Sequence, residues 1–233
     1  MTAPVYTTTL IVGAGEGLSA SLARLFAHEG MKIGLAARQT DKLAGLCKET
    51  GAKAFTCDAS KPESVTKLFA EMEAQIGTPD VVVFNPSARA RGPLIDLVPT
   101  DVERAIMVGA YGGFLVAQEA AKRMVPKGHG AILFTGASAS VKGYAQSAPF
   151  AMAKFALRGL AQSMARELAP KGIHVGHIVI DGGIRSADRP VPAGKPDSLL
   201  DPDAIAASYL HLLKQPRSAW TWEIEVRPWV ENF

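Results

Sequence analysis

The sequence predicts an α/β protein: a single-domain, Rossmann-type, doubly wound parallel sheet of seven strands flanked by helices. Short apolar runs rich in β-branched residues recur along the 233 residues, stretches of helical period separate them, and a glycine cluster follows the first run. Strands buried on both faces read as continuous apolar runs, and the helices between them make right-handed parallel crossovers. The chain is long enough to bury one full core of this class. No repeat, low-complexity tract or linker divides it, so residues 1–233 read as one domain.

The first run, TTLIV at 8–12, leads directly into VGAGEGLSASLARLFAHEG. Gly13, Gly15 and Gly17 fall ahead of a helix of small and apolar residues, with Glu16 and Leu18 completing the turn. Glycine at such a place lets the backbone turn sharply and approach a pyrophosphate, whose charge the helix N-terminus stabilises. Between a strand and a helix, the turn predicts a dinucleotide site; the alternative is a tight βα turn with no ligand. The second strand, MKIGLAA at 31–37, ends at Arg38. An acidic residue there hydrogen-bonds the ribose of NAD, whereas a guanidinium offers charge and paired donors to a 2′-phosphate. Arg38 therefore predicts NADP(H) in preference to NAD(H), the alternative being a solvated loop arginine. The third strand, AKAFTC at 52–57, is followed by Asp58. That residue either caps the next helix, in company with Ser60 and Pro62, or accepts a bond from an adenine amino group.

VVVF at 81–84 is the fourth strand, with Arg89 and Arg91 after it, and the longest helical pattern runs over 100–125. AILFT at 131–135 is the fifth, followed by a segment bearing the hydroxyls of Ser138, Ser140, Tyr144 and Ser147. In the sixth strand, HVGHIVI at 174–180, the odd spacing of His174 and His177 sends the rings to opposite faces and argues against a metal site. A loop over 184–202 follows, irregular enough to be functional, before Asp201 and Pro202 open the last helix. WEIEV at 222–226 reads as a buried final strand with an aromatic tail.

A net charge of +3, with Lys and Arg interspersed among Asp and Glu, gives no basic stripe for nucleic acid. No apolar run is long enough to cross a bilayer. The two cysteines, Cys47 and Cys57, and a start lacking the basic and apolar regions of a secretory signal predict a cytoplasmic protein with reduced thiols.

These motifs together resemble those of the short-chain dehydrogenase/reductase family over essentially the whole chain. The glycine turn is similar to that family's TGxxxGxG, with Val12 for Thr and Ser19 for the last Gly. Asp58 falls at the family's adenine-contacting Asp, and FNPS at 84–87 at its NNAG, keeping Asn85. DGGIRS at 181–186 stands where PGxIxT is usual, so the resemblance adds Gly182 and Ile184 to the cofactor-binding residues. Residues 153–175 are similar to the family's active-site helix and the strand after it.

The resemblance implies chemistry by an Asn, a Ser, a Tyr and a Lys, the last two spaced YxxxK. Lys154 is present, but Phe150 stands at the Tyr position, Ala137 at the Ser position and Gly109 at the Asn position. Hydride reduction of a carbonyl leaves an alkoxide that needs a proton, and a Phe cannot donate one; losing a positioned acid costs about 10²–10⁴ in rate. The second family role of Lys154, holding the nicotinamide ribose, needs no tyrosine. Ser138, one residue past the Ser position, is the first candidate for a shifted donor; like Ser140, Tyr144 and Ser147, it can equally cap a helix or face solvent.

Arg89, Arg91, Arg185, Arg189 and Lys195 flank the expected crevice and either attract an anionic small-molecule substrate or are solvated loop charges. Gly109, Ala110, Gly112, Gly113, Ala117, Ala153 and Ala156 lie on the two helices that in the family build a subunit interface, which implies a homodimer or homotetramer, unless they serve close packing onto the sheet. Two readings follow: an NADP(H)-dependent oxidoreductase with a non-standard proton donor, acting on a carbonyl or alcohol, or a catalytically silent dinucleotide-binding protein serving as sensor or partner subunit.

Overall fold

The computed structural model describes residues 4–231. Seven strands form one parallel sheet in the order β3-β2-β1-β4-β5-β6-β7. They are β1 (Thr8–Val12), β2 (Lys32–Ala37), β3 (Lys53–Thr56), β4 (Val81–Phe84), β5 (Gly130–Thr135), β6 (Ile173–Ile180) and β7 (Glu223–Val226). The order reverses between β1 and β4, where Val12 pairs with both Ala36 and Phe84. A crevice opens beyond the C-terminal strand ends at such a reversal, so Gly13, Arg38 and Asn85 are brought to its rim.

Successive residues of each strand face opposite layers. Ile11 belongs to the core beneath α1 (Leu18–His28) and α7 (Pro202–Leu213), together with Leu22, Phe26 and Tyr209. Its neighbours Leu10 and Val12 belong to the other core, beneath α3 (Pro62–Gln75), α5 (Gly112–Met124) and α6 (Ala148–Leu168), with Phe69, Val116 and Leu157. Fully burying such a side chain is worth roughly 1.5–3 kcal/mol, so the two layers hold the switch point from both sides. The remaining helices are α2 (Ala44–Thr50) and α4 (Pro99–Ile106).

The expected long helix over 100–125 is one continuous rod in three parts: α4, a π turn at Met107–Tyr111, and α5. Such turns interrupt helices where packing requires an extra residue, often at functional sites. Gly109 lies within it, and a Cβ there would approach the Ala153 Cβ to 2.9 Å. Gly112 is pressed against the Ala59 carbonyl and Gly113 against Leu157, so these glycines serve close packing within the chain. The final strand departs from expectation. β7 is a half-buried edge strand with a single neighbour, and Trp229 beyond it is 82% exposed. Among the described residues, no helix is long and apolar enough to cross a membrane.

Candidate active site

The turn after β1 is built around one strained and two open glycines. Gly13 adopts φ +83°, and a Cβ there would sit 2.6 Å from the Pro86 nitrogen. Its N–H and that of Ala14 both donate to the Ala36 carbonyl at 2.9 Å. Gly15 and Gly17 have no atom within 4 Å of a built Cβ, so packing within the chain does not demand glycine at either place. Gly17 precedes α1, whose first turn carries no acidic residue and no capping side chain. Its unsatisfied N–H groups and positive dipole end suit an anion. Leu18 turns into the core, and Glu16 stays exposed. The Ser19 hydroxyl donates to the Gly13 carbonyl at 3.0 Å and accepts from Asn85 Nδ2 at 2.8 Å, which locks the turn to the end of β4. Ser19 is thus a turn brace that the sequence shows only as a departure from glycine.

A cleft of about 880 Å³ runs from this turn across the ends of β2 and β3. Gly13, Gly15, Glu16, Arg38, Asp58 and Asn85 line it. Gln39 and Lys42 join Arg38, giving the far end two cations and an amide and no acid from β2. Lys42, four residues beyond Arg38, escapes sequence reasoning because it sits in an ordinary polar stretch. Asp58 Oδ1 accepts from the Ser60 hydroxyl at 2.7 Å and the Ser60 N–H at 3.0 Å, a local turn ahead of α3; that helix begins after Lys61 with no side-chain cap, so Asp58 does not cap it and instead lines the cleft. Those bonds, the side-chain one foremost, hold its carboxyl below the usual range, with Arg38 and Lys61 adding to the effect. Open backbone space, an uncapped helix start and a cationic far end fit a dinucleotide bearing a 2′-phosphate.

Beyond the turn the cleft reaches Arg89, whose guanidinium lies over the Phe150 ring at 4.3 Å from its centroid. Lys154 Nζ is 5.8 Å from the same centroid. Lys154 is 3% exposed, donates to the Thr135 carbonyl at 2.7 Å, and is brought down to about 8 by burial, with Arg89 adding a smaller repulsion. The Thr135 hydroxyl shares a 2.7 Å bond with the Tyr209 phenol from the opposite layer. Of the candidate hydroxyls, Ser140 is fully buried and accepts the Ala137 N–H at 3.1 Å, a backbone brace. Tyr144 is exposed beside Lys142. Ser138 and Ser147 are half-buried, and neither hydroxyl has a hydrogen-bond partner among the described residues.

Gly182 and Ile184 lie at the start of the loop between β6 and α7, outside the cleft lining. Gly182 has φ +146°, with a built Cβ 2.9 Å from the Pro228 ring, and Ile184 bridges to Leu200. Arg185 pairs with Asp201 at 2.8 Å, and Asp201 caps α7 by accepting the Asp203 N–H. Arg89, Arg91, Arg189 and Lys195 make no ion pair among the described residues. The two strand histidines are structural. His174 stacks on Trp220, and His177 Nδ1 meets Glu223 Oε2 at 2.9 Å, with Arg158 gripping the same carboxylate through two 2.7 Å bonds. Burial brings His177 down to about 4, so it is neutral at physiological pH. Cys47 and Cys57 are free thiols, and burial raises both.

The short chain dehydrogenase family profile matches residues 7–188. An uncharacterized oxidoreductase of Staphylococcus aureus (strain N315) is 27% identical over 225 residues, covering 94% of this chain and 96% of its own. A crystal structure of a short-chain dehydrogenase from Rhodopseudomonas palustris superposes with a TM-score of 0.84 at 35% identity, covering 97% of this chain and 100% of that one. A gluconate 5-dehydrogenase from Burkholderia cenocepacia J2315, in complex with NADP and tartrate, superposes with a TM-score of 0.84 at 25% identity over 95% of this chain and 94% of that one. The parallel sheet, the glycine turn at its switch point and these matches agree: the chain belongs to the short-chain dehydrogenase family.

Proposed function

We propose that the protein is an NADP(H)-dependent short-chain oxidoreductase acting on a carbonyl or alcohol group with a non-standard proton donor. The observation that carries this reading is the cleft with open space at Gly15 and Gly17, an uncapped α1, and Arg38 with Lys42 at its far end. When bound, NADPH supplies hydride to a carbonyl carbon. The glycine turn holds the pyrophosphate, Arg38 the 2′-phosphate, Asp58 the adenine edge, and Lys154 the nicotinamide ribose. The resemblance adds Gly182 and Ile184 beside the nicotinamide.

The oxygen that gains charge needs a proton. Phe150, Ala137 and Gly109, at the positions of the family's Tyr, Ser and Asn, cannot give one. We assign the donor role to Ser138, whose unpartnered, half-buried hydroxyl follows the strand end to which Lys154 is tied; it passes its proton to the substrate oxygen and takes one back from solvent. Lys154, at about 8, keeps its charge near neutral pH and favours the developing oxyanion. The unpaired loop cations favour an anionic substrate, and the Burkholderia neighbour is itself named for, and bound to, carboxylates.

NADPH titration followed by fluorescence and thermal shift tests the cofactor claim, and absence of any response overturns it. Arg38→Asp should reverse preference toward NADH by about tenfold or more. A carbonyl panel then decides between this reading and a silent dinucleotide-binding protein, which the missing groups at 109, 137 and 150 favour: NADPH binding with no turnover on any substrate selects the silent one. Stacked Tyr111 and Phe114, with Met152 and Phe155, expose an apolar face on the π turn, α5 and α6 that supports a homo-oligomer. Sedimentation of Phe155→Glu should show smaller species. A reducing, cytoplasmic setting suits the two free thiols.

A further inference from the structure

We propose that Arg89, mounted on the Phe150 ring, is the site that takes the carboxylate of a 2-oxo or 2-hydroxy acid substrate. The proposal rests on the cleft being an oxidoreductase site, and it adds the chemical class of the substrate.

Five features of the molecule converge on it. Arg89 follows the β4 end by five residues and lines the same cleft as the glycine turn. Its guanidinium is fixed by stacking at 4.3 Å on Phe150, a contact that orients the planar fork without consuming its hydrogen-bond donors. No carboxylate pairs with it among the described residues. Arg189, packed against Gly183 at the start of the loop between β6 and α7, has no acidic partner among the described residues either, and a Cβ at 183 would lie 3.2 Å from its guanidinium. Burial foremost, then the charges of Arg91 and Arg189, push Arg89 below its ordinary value, as expected where like charges gather without a counterion. An anion there relieves that repulsion and receives a bidentate bond.

The position also limits which anion. Phe150 lies one helical turn from Lys154, and its ring brings Arg89 and the ammonium close to a common centre. With Phe150 at the position of the family's proton donor and Lys154 at the nicotinamide ribose, as proposed above, a carboxylate gripped by Arg89 over that ring lies beside the reacting carbon, which describes a 2-oxo or 2-hydroxy acid and not a long chain with a remote acid group. Phe150 acts as a positioning residue: the ring that replaces a phenol becomes the platform for a cation.

Calorimetric binding of 2-hydroxyoctanoate and of neutral 2-octanol tests this on the NADPH-loaded protein, where neither compound can be reduced, and on the free protein. Wild type should bind the acid more tightly than the alcohol. Arg89→Gln should weaken the acid by roughly ten- to a hundredfold, the loss of a charge-assisted hydrogen bond, and leave the alcohol and NADPH unchanged. Phe150→Leu should weaken the acid severalfold, and Phe150→Tyr, which keeps the ring, should retain it. Equal affinity for acid and alcohol, an unchanged acid affinity in Arg89→Gln, or a loss of NADPH binding in that variant overturns the proposal; the last outcome would give Arg89 to the cofactor. If NADPH does not bind but the free protein still takes up the acid through Arg89, the oxidoreductase reading falls and the carboxylate site stands.

Discussion

Alanine in place of Gly13 and, separately, of Gly15 distinguishes a glycine required by the fold from one required by a ligand. At Gly13 the left-handed φ of +83° costs a side-chain-bearing residue about 1–2 kcal/mol. The new Cβ also meets the Pro86 nitrogen at 2.6 Å and the Asn85 carbonyl carbon at 2.9 Å, backbone atoms that cannot swing aside. Crowding of this kind adds about 1–3 kcal/mol, and the reduced entropy of the unfolded chain returns about 0.4–1 kcal/mol. A net loss of about 2–4 kcal/mol is expected, or a melting temperature lower by roughly 5–15 °C. Gly15 has neither a left-handed φ nor any atom within 4 Å, so Gly15→Ala should keep wild-type stability to within about 1 kcal/mol. Its methyl would nonetheless stand in the open space before α1, and NADPH affinity should fall roughly ten- to a hundredfold. Urea denaturation without ligand reads the first effect and fluorescence titration with NADPH the second. A Gly15→Ala protein that binds NADPH like wild type would mean that the turn holds no phosphate, and a Gly13→Ala protein of undiminished stability would refute the steric reasoning.

Lys154 titrates near 8 when folded and near its ordinary 10.5 when unfolded, so the unfolded chain holds the extra proton between those values. Stability should therefore rise with pH across that window by about 3 kcal/mol, and Lys154→Met should remove the rise in urea midpoints measured against pH. For His177 the window is 6.5 down to about 4, and the unfolded chain again binds the proton that the folded one refuses. Stability should fall by about 3 kcal/mol as pH drops through it; a wild-type profile matching that of His177→Asn would remove this account. Restoring the family's catalytic groups should succeed only in part: Phe150→Tyr with Ala137→Ser should raise reductase activity. Adding Gly109→Asn should destabilise that double variant by about 1–3 kcal/mol, because the π turn approaches Ala153 too closely for a Cβ, and calorimetry of the two variants compares them directly.

The sheet was legible because its strands are buried on both faces. VVVF has no polar residue and TTLIV only two β-branched threonines, neither run carries a charge, and their bounds coincide with β1 and β4. The edge strand was less so: EIEV alternates and carries aromatic neighbours, which read as burial, yet only one partner strand covers it. Gly13 announced its turn through local backbone chemistry. The bond between Ser19 and Asn85 did not, because it joins residues 66 positions apart. The stacking of Arg89 on Phe150 was invisible for the same reason, since sequence places the two in separate loops and helices and only the strand order brings them together. The π turn escaped as well: a single turn of five residues inside a long helical stretch leaves no mark in the apolar pattern, and the Ala153 side chain that Gly109 approaches belongs to α6.

Thr135 connects both helical layers through a single residue, with its carbonyl holding the Lys154 ammonium and its hydroxyl meeting Tyr209. Every amino acid owns a carbonyl, so no genetic substitution at 135 deletes the anchor of that charge. A mutational scan would grade the position by its phenol contact alone and score it as a packing site. Replacing the amide between residues 135 and 136 with an ester, by chemical synthesis, would weaken that acceptor while leaving every side chain in place, and would also remove the Gly136 N–H bond to the Ile178 carbonyl. The group that orients the one retained family ammonium is thus written in the path of the strand and not in the identity of any residue.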